Sequence, residues 1–366
     1  MTQVGLLLSL TALATILFEV PTGAIADIYG RKVSVVIGFL LSAFFMLLIP
    51  SSNLFIIIAA FWFLMSVANT FSSGAGEAWM VDYLKKNRKY SLMTTALARR
   101  HVFIYAGITS SFLISGLIVS KYSMTWLWYI AAAVLITLSV FLIVFGKEDF
   151  RGKKPKSIRG LFGQNLRVSI EGVNYSRKHP ILKFLMVATF LTAIVSMMNI
   201  VWPPFMSELG IPLMYVGPAY ALYSLVGVIV PNFSSPIMRR FGGERKALVA
   251  ITTLILFSSL ALAFSPNWQV FIALWFISAM TDVLYAPTSI SFFQRYAKSN
   301  IRATLGSLRE MAFGIGGVFA PVIAGFVADT YGLRAVIILA AAFVLPIIAI
   351  YIKVNEGQEN SHITKE

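Results

Sequence analysis

Apolar residues run along this chain in long blocks, and polar residues collect in short gaps between them. A helix needs about 20 mostly apolar residues to cross the hydrocarbon core of a bilayer. Eleven stretches come near or exceed that length: residues 4–24, 33–50, 54–80, 97–119, 124–145, 181–206, 213–237, 246–264, 268–293, 304–328 and 333–353. The pattern predicts an all-α integral membrane protein, because a helix satisfies all of its backbone groups within one segment. The longest polar gap, 146–180, divides the spans into two sets. The expected organisation is an N-terminal transmembrane bundle at 1–145, a central loop at 146–180, a C-terminal bundle at 181–353 and a tail at 354–366. An amphipathic surface helix is expected at 158–175.

The basic residues are distributed unevenly. Placing alternate loops on alternate sides puts 28 of the 30 lysines and arginines on one side and leaves only Lys121 and Arg334 on the other. The positive-inside bias then makes the C-terminus cytoplasmic, in a multi-pass protein of the cell membrane. Composition agrees: 58% of residues are hydrophobic and only 12% charged, against about 25% charged in soluble chains. The net charge of +15 does not signal nucleic acid, since the basic residues sit in short loops where anionic headgroups explain them. Cysteine is absent, which removes disulfides and thiolate metal sites. Residues 1–24 lack a basic n-region and a small-residue cleavage site, so no cleavable signal peptide is expected.

One short stretch organises the rest. Between the first two apolar runs lies Gly23-Ala24-Ile25-Ala26-Asp27-Ile28-Tyr29-Gly30-Arg31-Lys32. It reads as a tight loop at a membrane face, with Gly23 and Gly30 letting two helix ends approach. Arg31 and Lys32 mark that face as cytoplasmic, and Asp27 requires a partner. The spacing of Gly23, Asp27, Gly30, Arg31 and Lys32 resembles the signature loop of the major facilitator superfamily. The resemblance implies two helix bundles related as parallel repeats, a midplane cavity and alternating access. That loop follows the second of twelve helices in the family, and here it follows the first of eleven. The missing piece is expected to be the first helix, through a start assigned too far downstream or a truncated form. The two bundles then stand for helices two to six and seven to twelve.

The halves repeat weakly. Residues 236–246 look like a degraded signature loop, in which Gly242 falls 212 positions after Gly30 and Arg239 stands where the first copy has Asp27. Asn300 falls 213 positions after Asn87.

Few charges lie inside the spans, and each is a functional candidate because burying one in lipid is costly. Asp282 is the sharpest, near the middle of its span with Tyr285 and Pro287 one turn on. A carboxylate there suits proton uptake and release; a structural carboxylate bonded to a neighbouring helix is the alternative. The 212 offset pairs Asp282 with Thr70, and the resemblance puts both positions on helices four and ten, beside the cavity. Glu77 is a second candidate, or a partner for a loop arginine. Asp82, by resemblance, pairs with Arg31 and holds the inward side closed. Glu19 is read as a partner for Arg99, Arg100 or His101, and Glu310 as a first-turn acid favoured by the helix dipole. Trp62 and Trp275 lie deep enough to face solute or to pack. Gly314, Gly316, Gly317, Pro321 and Gly325, and less densely Gly107 and Gly116, suit close helix packing. The glycine-proline pair of the family's drug antiporters and the family's intramembrane arginine on helix four are both absent.

No phosphate-binding loop, zinc-ligand cluster, ring-forming filter or catalytic constellation is present, so neither an enzyme nor a cofactor is expected. The reading is a secondary transporter of a small organic solute, with proton-coupled efflux as its expected mode. Solute, protons and the bilayer are its expected partners. The alternatives are a metabolite importer of the same fold and a non-transporting, receptor-like remnant.

Overall fold

The computed structural model describes residues 1–89, 92–148, 175–176, 179–297 and 302–354. The central loop's expected surface helix at 158–175 and nearly all of the tail lie outside the described residues. The apolar blocks form helices: α1 Thr2–Tyr29, α2 Arg31–Leu48, α3 Phe55–Lys86, α4 Met93–Lys121 and α5 Thr125–Phe145. Beyond the central loop come α6 Pro180–Val195, α7 Met198–Glu208, α8 Leu213–Ile229 and α9 Ser234–Arg240. The chain continues through α10 Glu244–Ala263, α11 Trp268–Arg295, α12 Arg302–Tyr331 and α13 Leu333–Lys353. Among the described residues, ten helical spans are long and apolar enough to cross a membrane, and Met214–Ile229 is a shorter apolar helix.

Two expected spans are broken. Residues 181–208 divide at Ser196 and Met197, where Met197 N–H bonds to the Ile194 carbonyl and Asn199 N–H to the Ser196 carbonyl, a tighter winding than the α-helix. The span expected at 213–237 gives way after Ile229 to a 3-10 turn at Val230–Phe233. Pro231 accounts for it, since proline has no N–H to continue the ladder and its ring crowds the preceding turn.

The signature stretch is not a ten-residue loop. Helix α1 continues to Tyr29, and the reversal falls on Gly30 alone, whose φ of 108° is open to glycine and strained for other residues. Gly23 does not mediate a close approach: a Cβ there would meet nothing within 4 Å.

Two compact units form. The first is drawn from Gln3–Arg167 and Leu213–Ala221, the second from Met1–Thr2, Val168–Pro212 and Leu222–Glu366. In the first, α2 packs on α3 and α5. The α2–α3 seam is built from Ser34, Gly38 and Ser42, which recur every fourth residue and so share a face. The Ser34 hydroxyl donates to the Phe71 carbonyl at 2.7 Å, and a Cβ on Gly38 would stand 3.0 Å from the Ala68 oxygen. Small residues with short hydrogen bonds are what bring helices together where lipid offers no hydrophobic gain. The α1–α3 seam uses Thr22, donating to the Thr70 carbonyl at 3.1 Å, and Thr11, which accepts from Trp62 Nε1 at 2.8 Å.

In the second unit α10 packs on α11 and α13, and α6 packs on α12 and α13. An aromatic core joins α7 to α11 through Trp202, Phe205, Phe271 and Trp275. Trp275 is 1% exposed and is a packing residue in this unit.

Candidate functional site

At the basic end of the first unit, Arg31 heads α2 and lies between two carboxylates. Its guanidinium is 3.0 Å from Asp82 on α3 and 3.5 Å from Asp27 on the last turn of α1. One cation thus ties three helices, with the positive charge shielded and the two acids kept from repelling each other. Beside it, Glu77 pairs with Arg100 of α4 at 3.3 Å. Arg31, Gly74, Glu77, Ala78, Val81 and Asp82 line an open depression of about 470 Å³. Glu19 is exposed and forms no ion pair among the described residues, so its expected pairing with Arg99 or Arg100 is not made; nothing is described of the His101 side chain.

Glu148 completes this end, and sequence reasoning missed it. Its carboxylate accepts from the backbone N–H of Arg31 at 2.7 Å and of Lys32 at 2.9 Å. Those are orphan donors at the positive end of the α2 dipole. Lys32 returns the contact, donating from Nζ to the Ile143 and Gly146 carbonyls at 3.0 and 2.9 Å and so capping the end of α5. The signal available in sequence was the acidic pair Glu148-Asp149 just past an apolar run, at the start of a mostly basic loop.

The second unit sets the register of the internal repeat. Helices α2 and α10 begin at Arg31 and Glu244, each after a glycine of positive φ, and α3 and α11 begin at Phe55 and Trp268. Both intervals are 213 residues, so Gly30 matches Gly243 and not Gly242. In that register Lys32 matches Arg245, which donates to the Val354 carbonyl at 3.0 Å past the end of α13, as Lys32 does past α5. Arg31 matches Glu244 and Asp82 matches Arg295. Glu244 and Arg295 lie 2.8 Å apart. The second unit therefore carries an ion pair at the positions of Arg31 and Asp82 with the charges exchanged.

A swap experiment follows from this. Arg31→Glu and Asp82→Arg, made singly, are each expected to lower the thermal midpoint of the purified protein, because each places like charges side by side. The double variant is expected to recover part of the loss, since the acid placed at position 31 still faces Asp27. The pair is partly exposed, so the coupling is about 1 kcal/mol or less. A double variant no better than the sum of the singles shows that the two residues do not interact.

Deeper in the spans the candidates separate. Thr70 is buried and spends its hydroxyl on the Val67 carbonyl at 2.7 Å. Tyr285 is buried on α11, where its hydroxyl meets Thr192 of α6 at 2.8 Å and Tyr351 of α13 at 2.9 Å. Asp282 stands one turn before Tyr285 on the same side of α11. It is half-buried, and no hydrogen bond or ion pair reaches its carboxylate among the described residues. The neighbouring-helix partner considered from sequence is therefore not there. Arg309 is turned inward on α12, 3.3 Å from the Ser289 hydroxyl, and pairs with Glu310 at 2.9 Å. Glu310 is not in a first turn, since α12 begins at Arg302.

The position matching Asp282 in the first unit is Asn69, one residue before Thr70. Asn69 is exposed on α3, and its Oδ1 accepts from the Ser42 hydroxyl at 3.0 Å. Among the described residues no group of three or more His, Cys, Asp or Glu side chains is arranged to hold a metal ion.

Comparison with known proteins places this arrangement in a family. A model described as Major Facilitator Superfamily matches residues 1–258 and 243–366. The uncharacterised MFS-type transporter YxaM of Bacillus subtilis (strain 168) is 27% identical over 375 residues, covering 98% of this chain and 88% of the relative. Among solved structures, the nucleoside transporter NupG superimposes with a TM-score of 0.78 at 14% identity, over 96% of this chain and 89% of that one. The human organic anion transporter MFSD10 (TETRAN) gives a TM-score of 0.63 at 15% identity, over 95% of this chain and 83% of that one.

Proposed function

The chain belongs to the Major Facilitator Superfamily, and from that premise we propose that it moves a small organic solute by alternating access, coupled to protons through Asp282. The observation that carries the coupling is a mid-span carboxylate with no partner among the described residues. Holding a bare charge there costs several kcal/mol, a cost that proton uptake relieves. Thr70 and Glu77 are less suited to the role, since one hydroxyl is spent on its own helix and the other acid is paired with Arg100. The basic end of the first unit is the latch in this reading. Arg31, Lys32 and Glu148 join α1, α2, α3 and α5 there and hold that end of the unit together. Asp82 and Asp27 hold the arginine in place. The basic residues make that end cytoplasmic and the membrane the cell's own.

The test uses everted membrane vesicles holding the full chain, energised with a proton gradient. The compounds are a panel of organic cations, neutral drugs, sugars and nucleosides, and the readout is solute-dependent proton movement. Movement is expected in the parent and is expected to vanish in Asp282→Asn, which keeps shape and removes the titrating group. Movement that survives the substitution overturns the role of Asp282. Efflux is the direction expected from the sequence. Import is the second reading, and the likeness in fold to the nucleoside transporter NupG puts nucleosides among the solutes to test for it. Right-side-out vesicles that take up labelled nucleoside under an inward proton gradient would decide for import.

A further inference from the structure

Helix α3 exposes two different faces. Near its start the exposed residues are apolar: Ile56, Ile57 and Leu64. From its middle onward, Asn69, Ser73 and Glu77 are exposed at four-residue spacing and so lie along one side. At 3.6 residues per turn that side lies roughly opposite the one carrying Ile57 and Leu64. An exposed polar row at membrane depth does not face hydrocarbon, where unpaired amides and hydroxyls are costly; it faces water or protein. By contrast, the exposed residues of the second half of α5 include Val134, Leu138 and Phe141, and its one exposed hydroxyl, Thr137, donates to the Ala133 carbonyl of its own helix at 2.8 Å.

Asn69 is the member of this row that combines depth with orientation. The Ser42 hydroxyl holds its Oδ1, which turns the amide so that Nδ2 points outward, and Nδ2 has no acceptor among the described residues. An amide fixed on one side presents its two N–H donors in a set direction. Its position in the repeat is that of Asp282, the half-buried carboxylate at the matching place on α11.

We infer that Asn69 is a solute-contacting residue, lining a water-filled path and donating hydrogen bonds from Nδ2 to a carbonyl, hydroxyl or ring nitrogen of the solute. The inference rests on the transport reading for the solute and on the exposed row for the path. It commits to solutes with hydrogen-bond acceptors. A purely apolar or purely cationic compound has nothing for Nδ2 to bind.

The chain contains no cysteine, so single thiols report without background. Asn69→Cys, Ser73→Cys and the control Phe141→Cys are made in the full chain, kept in membrane vesicles and exposed to the water-soluble, charged thiol reagent MTSET. Thiolate forms only in contact with water, so a wet path is expected to label Asn69→Cys and Ser73→Cys at least about tenfold faster than Phe141→Cys. Labelling of Asn69→Cys as slow as the control overturns the inference, whatever the vesicles transport. The second arm uses the proton-movement assay and the panel compound that drives it. Asn69→Leu is expected to reduce movement about tenfold, and Asn69→Gln, which keeps the donor, to retain more of it. Unchanged movement in Asn69→Leu overturns solute contact even if the position is wet. A chain that labels rapidly at residue 69 yet moves no proton with any compound keeps the path and overturns the transport reading, so the two failures are told apart.

Discussion

Gly316→Ala is expected to yield markedly less folded protein, and Gly316→Leu almost none. Gly316 lies on α12 where that helix crosses α6. A Cβ at this position would stand 2.6 Å from the Ala193 Cβ and 2.7 Å from the Phe190 carbonyl oxygen. Neither neighbour is the movable end of a long side chain. One is a methyl already at 0% exposure and the other is backbone. Relief therefore requires the two helices to separate, which strips the packing that holds them. Overpacking of this kind costs about 1–3 kcal/mol and more when backbone must shift, a large share of a total stability of about 5–15 kcal/mol. The control is Gly306→Ala on the same helix, where an added Cβ meets nothing within 4 Å and helix propensity improves. The measurement is the yield of monodisperse protein in detergent and its thermal midpoint. Equal yields for Gly316→Ala and Gly306→Ala show that α6 and α12 are not in contact as described.

Tyr285→Phe is expected to lower the thermal midpoint clearly, by a loss of about 1–3 kcal/mol. The Tyr285 hydroxyl joins Thr192 on α6 and Tyr351 on α13, at 2.8 and 2.9 Å, and so ties α11 to two helices at once. Tyr351 is 2% exposed, so bulk water does not reach in to replace the missing oxygen. Tyr331→Phe is the control: its ring is 72% exposed, and removal of its hydroxyl is expected to change nothing. The pair of variants also separates two roles for Tyr285. A lower midpoint with transport intact per folded molecule assigns the residue to packing. An unchanged midpoint with transport lost assigns it to the solute.

The expected spans agree with the helices closely because burial in lipid acts on short windows of sequence. Twenty apolar residues form a helix whatever lies elsewhere in the chain, and the exceptions arise from local chemistry. Pro231 ends α8 early, and Gly30 absorbs a reversal that the polar stretch 23–32 spread over ten residues. That stretch was overread because Gly23, Asp27 and Gly30 look like loop residues, yet only Gly30 takes a backbone conformation that a helix cannot hold. The family was legible for the same reason, since its signature is compact and its spacing is local.

The internal repeat was legible as a duplication and misread by one residue. A glycine matched to the wrong neighbour in Gly242-Gly243 shifts every later pair, and in a helix one residue is a rotation of about 100°. That rotation exchanged Asn69, exposed with a free amide, for Thr70, buried and satisfied. It also hid the reversed ion pair of Glu244 and Arg295, because a 212 offset matches Arg31 to Gly243 and Asp82 to Gln294.

What the sequence determined by itself is the membrane character, the approximate position of the apolar spans, the doubling of the chain and the set of charges that needed an explanation. These depend on hydrophobicity and on spacing within one element. What only the tertiary structure decided is which of those charges are answered. Arg31 finds Asp82 51 residues away, Glu148 reaches back 117 residues to Arg31, and Asp282 finds nothing among the described residues. A carboxylate is structural or functional according to what stands within about 4 Å of it, and that distance is set by how the helices pack and not by the order of residues along any one of them.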